Sequence, residues 1–522
     1  MIKNNAITKA LFLIGTALFA LLACKNLYVL IDKTVPLFSN RATAAKSLLL
    51  FSAVLVACAA VVYVVDRFCR RENAVPERKG TIKYYYIALF FIAYALRFVW
   101  ISTVKTPQYS DFQLFYWITN NIASGSSRYT TDPYFYTWAY QAGFPAFMAP
   151  FAVLFPQNEL ALVYVNCLFE AGTVLCIFYL LRKFFSRKSA FVLSLVYLVF
   201  PFPYTLASVY TNQLSAVFFM YLGVCIAFSR IPLDGARCCV GAVCFAVGNM
   251  LRPEGILFFS GFAALLLFLT FHQNRDARSA LSAKVTNSLL RRVLPLVLFC
   301  AVYLCLSAVI SQLFVWANLN PNGLKNNFPL YKFATGLNAS STGQYTKEDA
   351  TFLMSLDSDY DAKTRDAMTL DIIHKRLSIG PVKLAAHMWR KADVMWTDKQ
   401  STFPALAPFS DNDVISLGVS MRVVTLKNIL TLIDGLYWLL LFLFGAFSQF
   451  RLFRRREVSP CLLFAVILFL GTFFVFSVVE VQKRYDYIML PVLFLLAAVS
   501  LKSDRTKRAH KDCSYGILMY TF

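Results

Sequence analysis

Residues 84–103 read YYYIALFFIAYALRFVWIST, and a few positions later residues 109–117 read YSDFQLFYW. The first stretch is an apolar run of the length that an α-helix needs to cross the hydrocarbon core of a bilayer. No water reaches its amides there, so the backbone must close its hydrogen bonds internally, as a helix. The second stretch opens on a lone carboxylate, Asp111, set among aromatic rings just beyond the span. The chain then stays polar and aromatic, and the next full-length span starts at about Leu160.

The same signature recurs along the chain. Of 522 residues, 58% are hydrophobic and 15% charged, with a mean hydropathy of +0.57. A water-soluble domain could not bury that much apolar surface. Spans are predicted at about 8–31, 46–65, 84–103, 160–181, 189–207, 209–229, 237–251, 255–271, 293–316, 428–449, 459–479 and 487–501. The fold class is therefore all-α: a polytopic membrane protein with about 12 transmembrane helices, a helical first outer loop and a soluble outer insert. Ten-residue alternation of the transmembrane β-barrel kind is absent. Lys3 and Lys9 precede a first apolar run reaching about Ile31, longer than a cleavable signal core, so this span is expected to be retained.

A net charge of +23 would suit a nucleic-acid-binding domain, but its distribution points elsewhere. The basic residues cluster at 67–83, 182–188, 275–292, 451–456 and 502–511. With the N-terminus inside, all five clusters fall on the cytoplasmic side, as the positive-inside rule requires. No basic soluble domain is left to hold nucleic acid. The short apolar piece 144–155, flanked and interrupted by Pro145, Pro150 and Pro156, must then be interfacial or re-entrant. The expected divisions are two N-terminal helices with a cytoplasmic loop (1–83) and a transmembrane core (84–316) bearing the first outer loop 104–159. An outer insert (317–427), C-terminal helices (428–501) and a cytoplasmic tail (502–522) follow. The protein is thus expected to be multi-pass in the cell membrane, with both termini cytoplasmic and the long loops on the outer, or lumenal, face. Those two loops contain no cysteine, which excludes a disulfide framework there. Within the insert, residues 383–396 have the Trp, Lys and Arg pattern of an amphipathic helix at headgroup level.

Several polar residues could carry chemistry. Asp111 at a low-dielectric interface could act as a general base; equally, it could cap a helix over 112–123. Asp132, before Pro133, could do the same or cap a turn. Arg252-Pro253-Glu254-Gly255 interrupts an apolar stretch, framing either a polar site or a hairpin with its own ion pair. The turn 480–487, EVQKRYDY, presents Lys483, Arg484 and Tyr485; arginine is the better bidentate partner for a phosphate, against the alternative of a solvated turn. Asn212 and Gln213 could bind sugar hydroxyls or simply make a turn. Inside the spans, Arg97 is expected to snorkel outward, while Glu170 and Asp434 need polar company. His374 and His387 stand alone, so neither a metal site nor another cofactor is indicated.

Four features in this order resemble the GT-C superfamily of integral-membrane glycosyltransferases. They are Ser110-Asp111 after an early span with the Pro/aromatic segment 136–150, and the span ending in 179–188, YLLRKFFSRK. The others are Leu251-Arg252-Pro253-Glu254-Gly255, and Arg484-Tyr485 leading into Leu490-Pro491. The similarity is greatest to the branch containing protein O-mannosyltransferases and lipid A aminoarabinose transferases, over about residues 84–500. The resemblance implies sugar transfer, usually with inversion, from a polyprenyl-phosphate donor to a glycan, lipid or protein acceptor on the outer face. It further implies Asp111 as general base, with Asp132 the rival, and Arg484, Arg252 and Lys483 on the donor phosphate. Glu254, Tyr485, Asn212 and Gln213 would be substrate-binding. Two departures stand out: Asp111 is followed by Phe112 where many members have a second acidic residue, and Asn212-Gln213 occupy a turn that is often acidic. The alternative is a polytopic transporter or lipid-linked-glycan flippase, which predicts symmetry-related helices; no internal repeat is visible.

Overall fold

Nearly every predicted apolar run is helical in the computed structural model, which describes residues 2–34, 41–74, 82–229, 235–276, 285–397 and 403–502. The basic residues Arg78, Lys79, Arg278 and Lys284, and the tail beyond Lys502, lie outside the described residues. The structure is 79% helical, and among the described residues the strands form two short pairings. Helices α1 (Ala6–Thr34) and α2 (Arg41–Ala74) open the chain, and α3 (Lys83–Val104) is the apolar run quoted above. Three short helices follow: α4 (Ser110–Ala123), α5 (Pro133–Thr137) and α6 (Gly143–Leu154). Next come α7 (Glu159–Arg182), α8 (Arg187–Leu198), α9 (Pro201–Leu206) and α10 (Asn212–Ala227). The core continues with α11 (Gly235–Leu251), α12 (Gly255–Asp276) and α13 (Val285–Trp316). The insert holds α14 (Tyr331–Gly336), α15 (Lys347–Asp359), α16 (Ala362–Leu377), α17 (Pro381–Ala392) and α18 (Phe403–Leu406). The chain closes with α19 (Val423–Arg454), α20 (Pro460–Val478) and α21 (Leu490–Ala498).

Among the described residues, six helices are long and apolar enough to cross a membrane: Ala6–Asp32, Lys83–Val104, Glu159–Arg182, Val293–Trp316, Val423–Arg454 and Pro460–Val478. Shorter apolar helices cover Asn212–Ala227, Gly235–Leu251, Gly255–Phe271 and Tyr485–Leu501. Only 11% of the apolar window in Val293–Trp316 is buried, so its Leu, Val and Trp side chains face outward. A continuous apolar face of that extent suits lipid and not water. The predicted span 189–207 is instead two helices. Pro201 cannot donate an amide and forces Phe200 into an extended conformation, so α8 ends and α9 starts anew.

One ionisable residue within the bundle packs differently from expectation. Arg97 does not snorkel: it is fully buried, and its Nη2 donates to Glu170 Oε1 at 2.9 Å, joining α3 to α7. Glu170 thereby finds the polar company it needs. In the amphipathic segment, α17 runs on as a π-helical turn to Thr397, as the pattern to Trp396 suggests. Trp389 is half exposed, with the Lys25 ammonium 4.1 Å from its ring. Trp396, however, is buried against Phe469 at 5.2 Å, so it packs into the bundle and not on an exposed face.

The insert has its own small core, including Phe328, Tyr331, Leu353 and Ile373. It is sewn to two other segments at one end of the bundle. Thr137 Oγ1 donates to Asp357 at 3.0 Å, and the Asn327 amide donates to the Thr137 carbonyl at 3.0 Å. On the other side the Glu480 amide donates to the Lys332 carbonyl at 2.8 Å, and that of Val481 to Gly343 at 3.0 Å. Buried Lys391 adds donations to the carbonyls of Gly336 (2.7 Å) and Val479 (2.6 Å). The turn between α20 and α21 is thus held by the insert, and the site forms beneath this seam.

Candidate active site

The site begins where α3 stops. Lys105 caps that helix in a left-handed conformation (φ 47°), and Ser110 adopts another (φ 49°). Two such residues within six positions reverse the chain sharply, at some conformational cost. The α4 helix starts at Ser110, two residues earlier than a cap at Asp111 would require, with Tyr109 as its N-cap. The capping role considered for Asp111 is not the one it plays. From the first turn of α4 its Oδ2 accepts from Arg484 Nη2 at 2.9 Å, across 373 positions of sequence. Asp132 does cap: it accepts from the Tyr134 amide at 2.8 Å, at the start of α5.

Asp111 and Arg484 line a cavity of about 1220 Å³ roofed by the insert and floored by α11, α12, α13 and α20. Arg252, Glu254, Lys483, Tyr485 and Asn212 are also in its wall, so residues from four distant segments meet there. Asp132 and Gln213 are not part of the lining. Gln213 works from behind, its Nε2 donating to the Arg484 carbonyl at 2.6 Å. Asn212 Oδ1 similarly accepts from Arg252 Nη1 at 2.9 Å, and its amide donates to the Leu251 carbonyl at 3.1 Å. Both amide side chains thus position arginines.

The electrostatics are a set of matched pairs. Besides Asp111–Arg484, Arg252 Nη2 lies 2.6 Å from Glu254 Oε1, and Lys332 Nζ lies 2.7 Å from Glu480 Oε2. The Arg252 ion pair is the one expected of a hairpin, yet it faces the cavity, so the two readings of this break are compatible. Arg252 also stacks over Tyr485 at 5.1 Å and Arg484 over Phe112 at 4.7 Å. Burial pushes the Glu480 carboxyl up, but Lys332 and the donors Gln482 and Tyr485 outweigh it and hold it below the usual carboxylate range. Burial alone would lower Lys332; the Glu480 charge reverses that and holds the ammonium well above its ordinary value. Arg484 is likewise penalised by burial and raised overall by Asp111. Tyr134 and Tyr140 stand between these pairs; burial, the main cause, raises Tyr134 well above a free phenol and Tyr140 to about 12. These phenols therefore stay protonated and can donate hydrogen bonds.

Lys332 and Glu480 are the residues that sequence reasoning passed over. Glu480 is the first residue of the polar turn, whereas Lys332, although set in the apolar stretch FPLYKFATGL (328–337), has nothing in its local sequence that links it to that turn. With four cations (Lys332, Lys483, Arg252 and Arg484) and three carboxylates in its wall, the cavity can receive an anion and hold a carboxylate beside it. Among the described residues, no group of three His, Cys, Asp or Glu side chains is arranged to hold a metal ion.

No protein-family model matches the chain, and no curated protein sequence matches it significantly. Solved structures that overlay on it include two of an archaeal oligosaccharyltransferase. The archaeal oligosaccharyltransferase AglB from Archaeoglobus fulgidus, in complex with an inhibitory peptide and a dolichol-phosphate, aligns with a TM-score of 0.42 at 13% identity. The oligosaccharyltransferase of the same organism in its apo form aligns with a TM-score of 0.43 at 14% identity. Each overlay covers 80% of this chain and 50% of the other, so the chain spans about half the length of these neighbours. A likeness of this degree identifies neither a family nor an activity.

Proposed function

We propose that this chain is a membrane glycosyltransferase that moves a sugar from a polyprenyl-phosphate donor to a cell-envelope acceptor on the outer face of the membrane. The observation that supports this reading is the meeting of Asp111 with Arg484, Arg252, Lys483 and Lys332 in one cavity, walled partly by apolar helices and partly by the insert. A lipid-borne phosphate needs cations for its head and apolar helices for its tail, while a hydroxyl acceptor needs a base within reach.

On this reading the acceptor hydroxyl attacks the anomeric carbon and Asp111 takes its proton. The bond from that carbon to the phosphate oxygen breaks, and the electron pair leaves with the polyprenyl phosphate. Arg484, Arg252, Lys483 and Lys332 stabilise the charge developing on the leaving group, an effect that is large in a site shielded from water. Tyr485, Glu254 and Asn212 line the same wall and are assigned to holding the substrate. Asp132 is set aside as base because its carboxylate is engaged in capping α5.

The test is sugar transfer from a short-chain polyprenyl-phosphate sugar by purified protein in detergent, followed by mass spectrometry. Loss of general-base catalysis is worth roughly 10²–10⁴-fold, so Asp111→Asn should lower turnover by at least about a hundredfold with expression intact. Unchanged turnover in that variant would sink the assignment. Mass spectrometry of envelope glycans from a deletion strain would name the acceptor class.

A further inference from the structure

Three of the cavity's cations already have anionic partners, which a donor phosphate must displace or join. Arg484, Arg252 and Lys332 are neutralised by Asp111, Glu254 and Glu480 at 2.9, 2.6 and 2.7 Å. We propose that the donor phosphate binds by exchange at Arg484, taking over its charge from Asp111, so that the carboxylate is released to the acceptor only after the donor is seated. This rests on the functional reading above and adds an order of events to it.

The geometry indicates which partner yields. Arg484 is held from several sides: its Nε donates to Gln482 Oε1 at 3.0 Å, its carbonyl accepts from Gln213 at 2.6 Å, and its guanidinium packs over Phe112. Its side chain is 16% exposed, whereas that of Asp111 is 34% exposed. Asp111 stands on the first turn of α4, beside the left-handed Ser110, and makes no helix-capping bond that would tether it. The arginine is therefore the fixed member and the carboxylate the movable one. Hydrogen bonds to Gln482 and Asp111 use Nε and one Nη2 hydrogen, so a phosphate oxygen that comes to Nη2 meets the position Asp111 already holds. A carboxylate and a phosphate compete for that single charge, and their mutual repulsion drives Asp111 toward a neutral hydroxyl. Paired with Arg484, Asp111 has Oδ2 engaged and its charge answered by the guanidinium; released, both oxygens and the whole charge are turned to the acceptor's proton. No atom is transferred in the exchange itself.

The exchange makes a prediction that runs against intuition: removing the base should improve donor binding. The probe is a short-chain polyprenyl monophosphate, with inorganic phosphate as the parallel arm, titrated into the full-length protein in detergent by calorimetry. Asp111→Asn should bind the lipid phosphate at least about five-fold more tightly than the unaltered protein, at the low end of measured couplings between sites. Asp111→Ala serves as the second variant if the amide does not fold. In an Arg484→Ala background the gain should vanish, because the competition is for that guanidinium. A like gain for inorganic phosphate assigns the exchange to the head group alone; a gain confined to the lipid form assigns it to a donor seated by its tail as well. Either supports the exchange. Equal or weaker lipid-phosphate binding by both Asp111 variants overturns it. So does a gain that survives without Arg484, or one seen with Glu254→Gln in place of the Asp111 variants. If the lipid phosphate binds none of the proteins, the proposed function itself fails, which is distinguishable from binding without tightening.

Discussion

Glu170→Leu is the substitution whose cost can be worked most directly from this structure. Arg97 and Glu170 are both fully buried in the bundle, and their side chains are joined by two contacts, Nη2 to Oε1 at 2.9 Å and Nε to Oε2. Leucine at 170 removes both. The guanidinium is then left with one long donation to the Leu198 carbonyl, at 3.4 Å, and the face of Tyr204, 5.7 Å away. Neither supplies a counter-charge. Leaving one member of a buried pair uncompensated costs about 3–5 kcal/mol. Against a typical net stability of about 5–15 kcal/mol, that is at least about a fifth of the total and up to all of it. The double variant Arg97→Met/Glu170→Leu removes both charges at nearly constant volume and should recover to within about 1 kcal/mol of the unaltered protein, because replacing a whole buried pair is often neutral. Denaturant unfolding in detergent, followed by tryptophan fluorescence, would give all the stabilities needed for the cycle. Neither residue lines the cavity, so turnover per folded molecule should not change. Stability of Glu170→Leu equal to the unaltered protein, or a double variant no better than the single, would refute the reasoning.

Lys332→Met should raise the apparent KM for the donor several-fold and leave Glu480 without its cation; an unchanged KM would remove Lys332 from the phosphate-binding set. Gly336→Ala places a methyl group against the backbone of Val479 and Glu480, which cannot give way as a flexible side chain could. The insert should then lift from the α20–α21 turn, read as faster hydrogen exchange at Glu480 and Val481 and a drop in turnover; identical exchange would deny the seam its role. Burial lowers the buried Lys391 amine to about 7, from an ordinary value near 10.5, with Glu480 only partly opposing. The unfolded chain therefore binds more protons than the folded one between about pH 7 and 10.5, so this residue's contribution to stability should rise with pH across that window. A Lys391→Met variant should lose that part of the pH dependence, measured as unfolding midpoints at pH 7 and 9; an unchanged slope would contradict the assignment.

The helices of the bundle were largely legible in the sequence, because lipid imposes a simple rule. A run such as 84–103 can meet it only as a helix, and α3 occupies 83–104. Where proline intervened the rule was too coarse, since an apolar composition at 189–207 says nothing of the break at Pro201. Site residues were legible when they stood out against apolar surroundings, as Asp111, Arg252 and Arg484 do. Lys332 stands among apolar residues too, but the 148 positions separating it from Glu480 hide their pairing.

By itself, then, the sequence determined an all-helical chain rich in apolar spans, with a few ionisable residues placed at span ends. Local physics suffices for this, because hydrophobicity and backbone hydrogen bonding act within a few turns. Only the tertiary structure decided which charge answers which. In the fold Asp111 does not cap α4 but pairs with Arg484 at 2.9 Å, and Arg97 was expected at the surface until Glu170 made burial tolerable. Ion pairing inside a low-dielectric bundle depends on distance in space, and that distance exists only once the helices have packed.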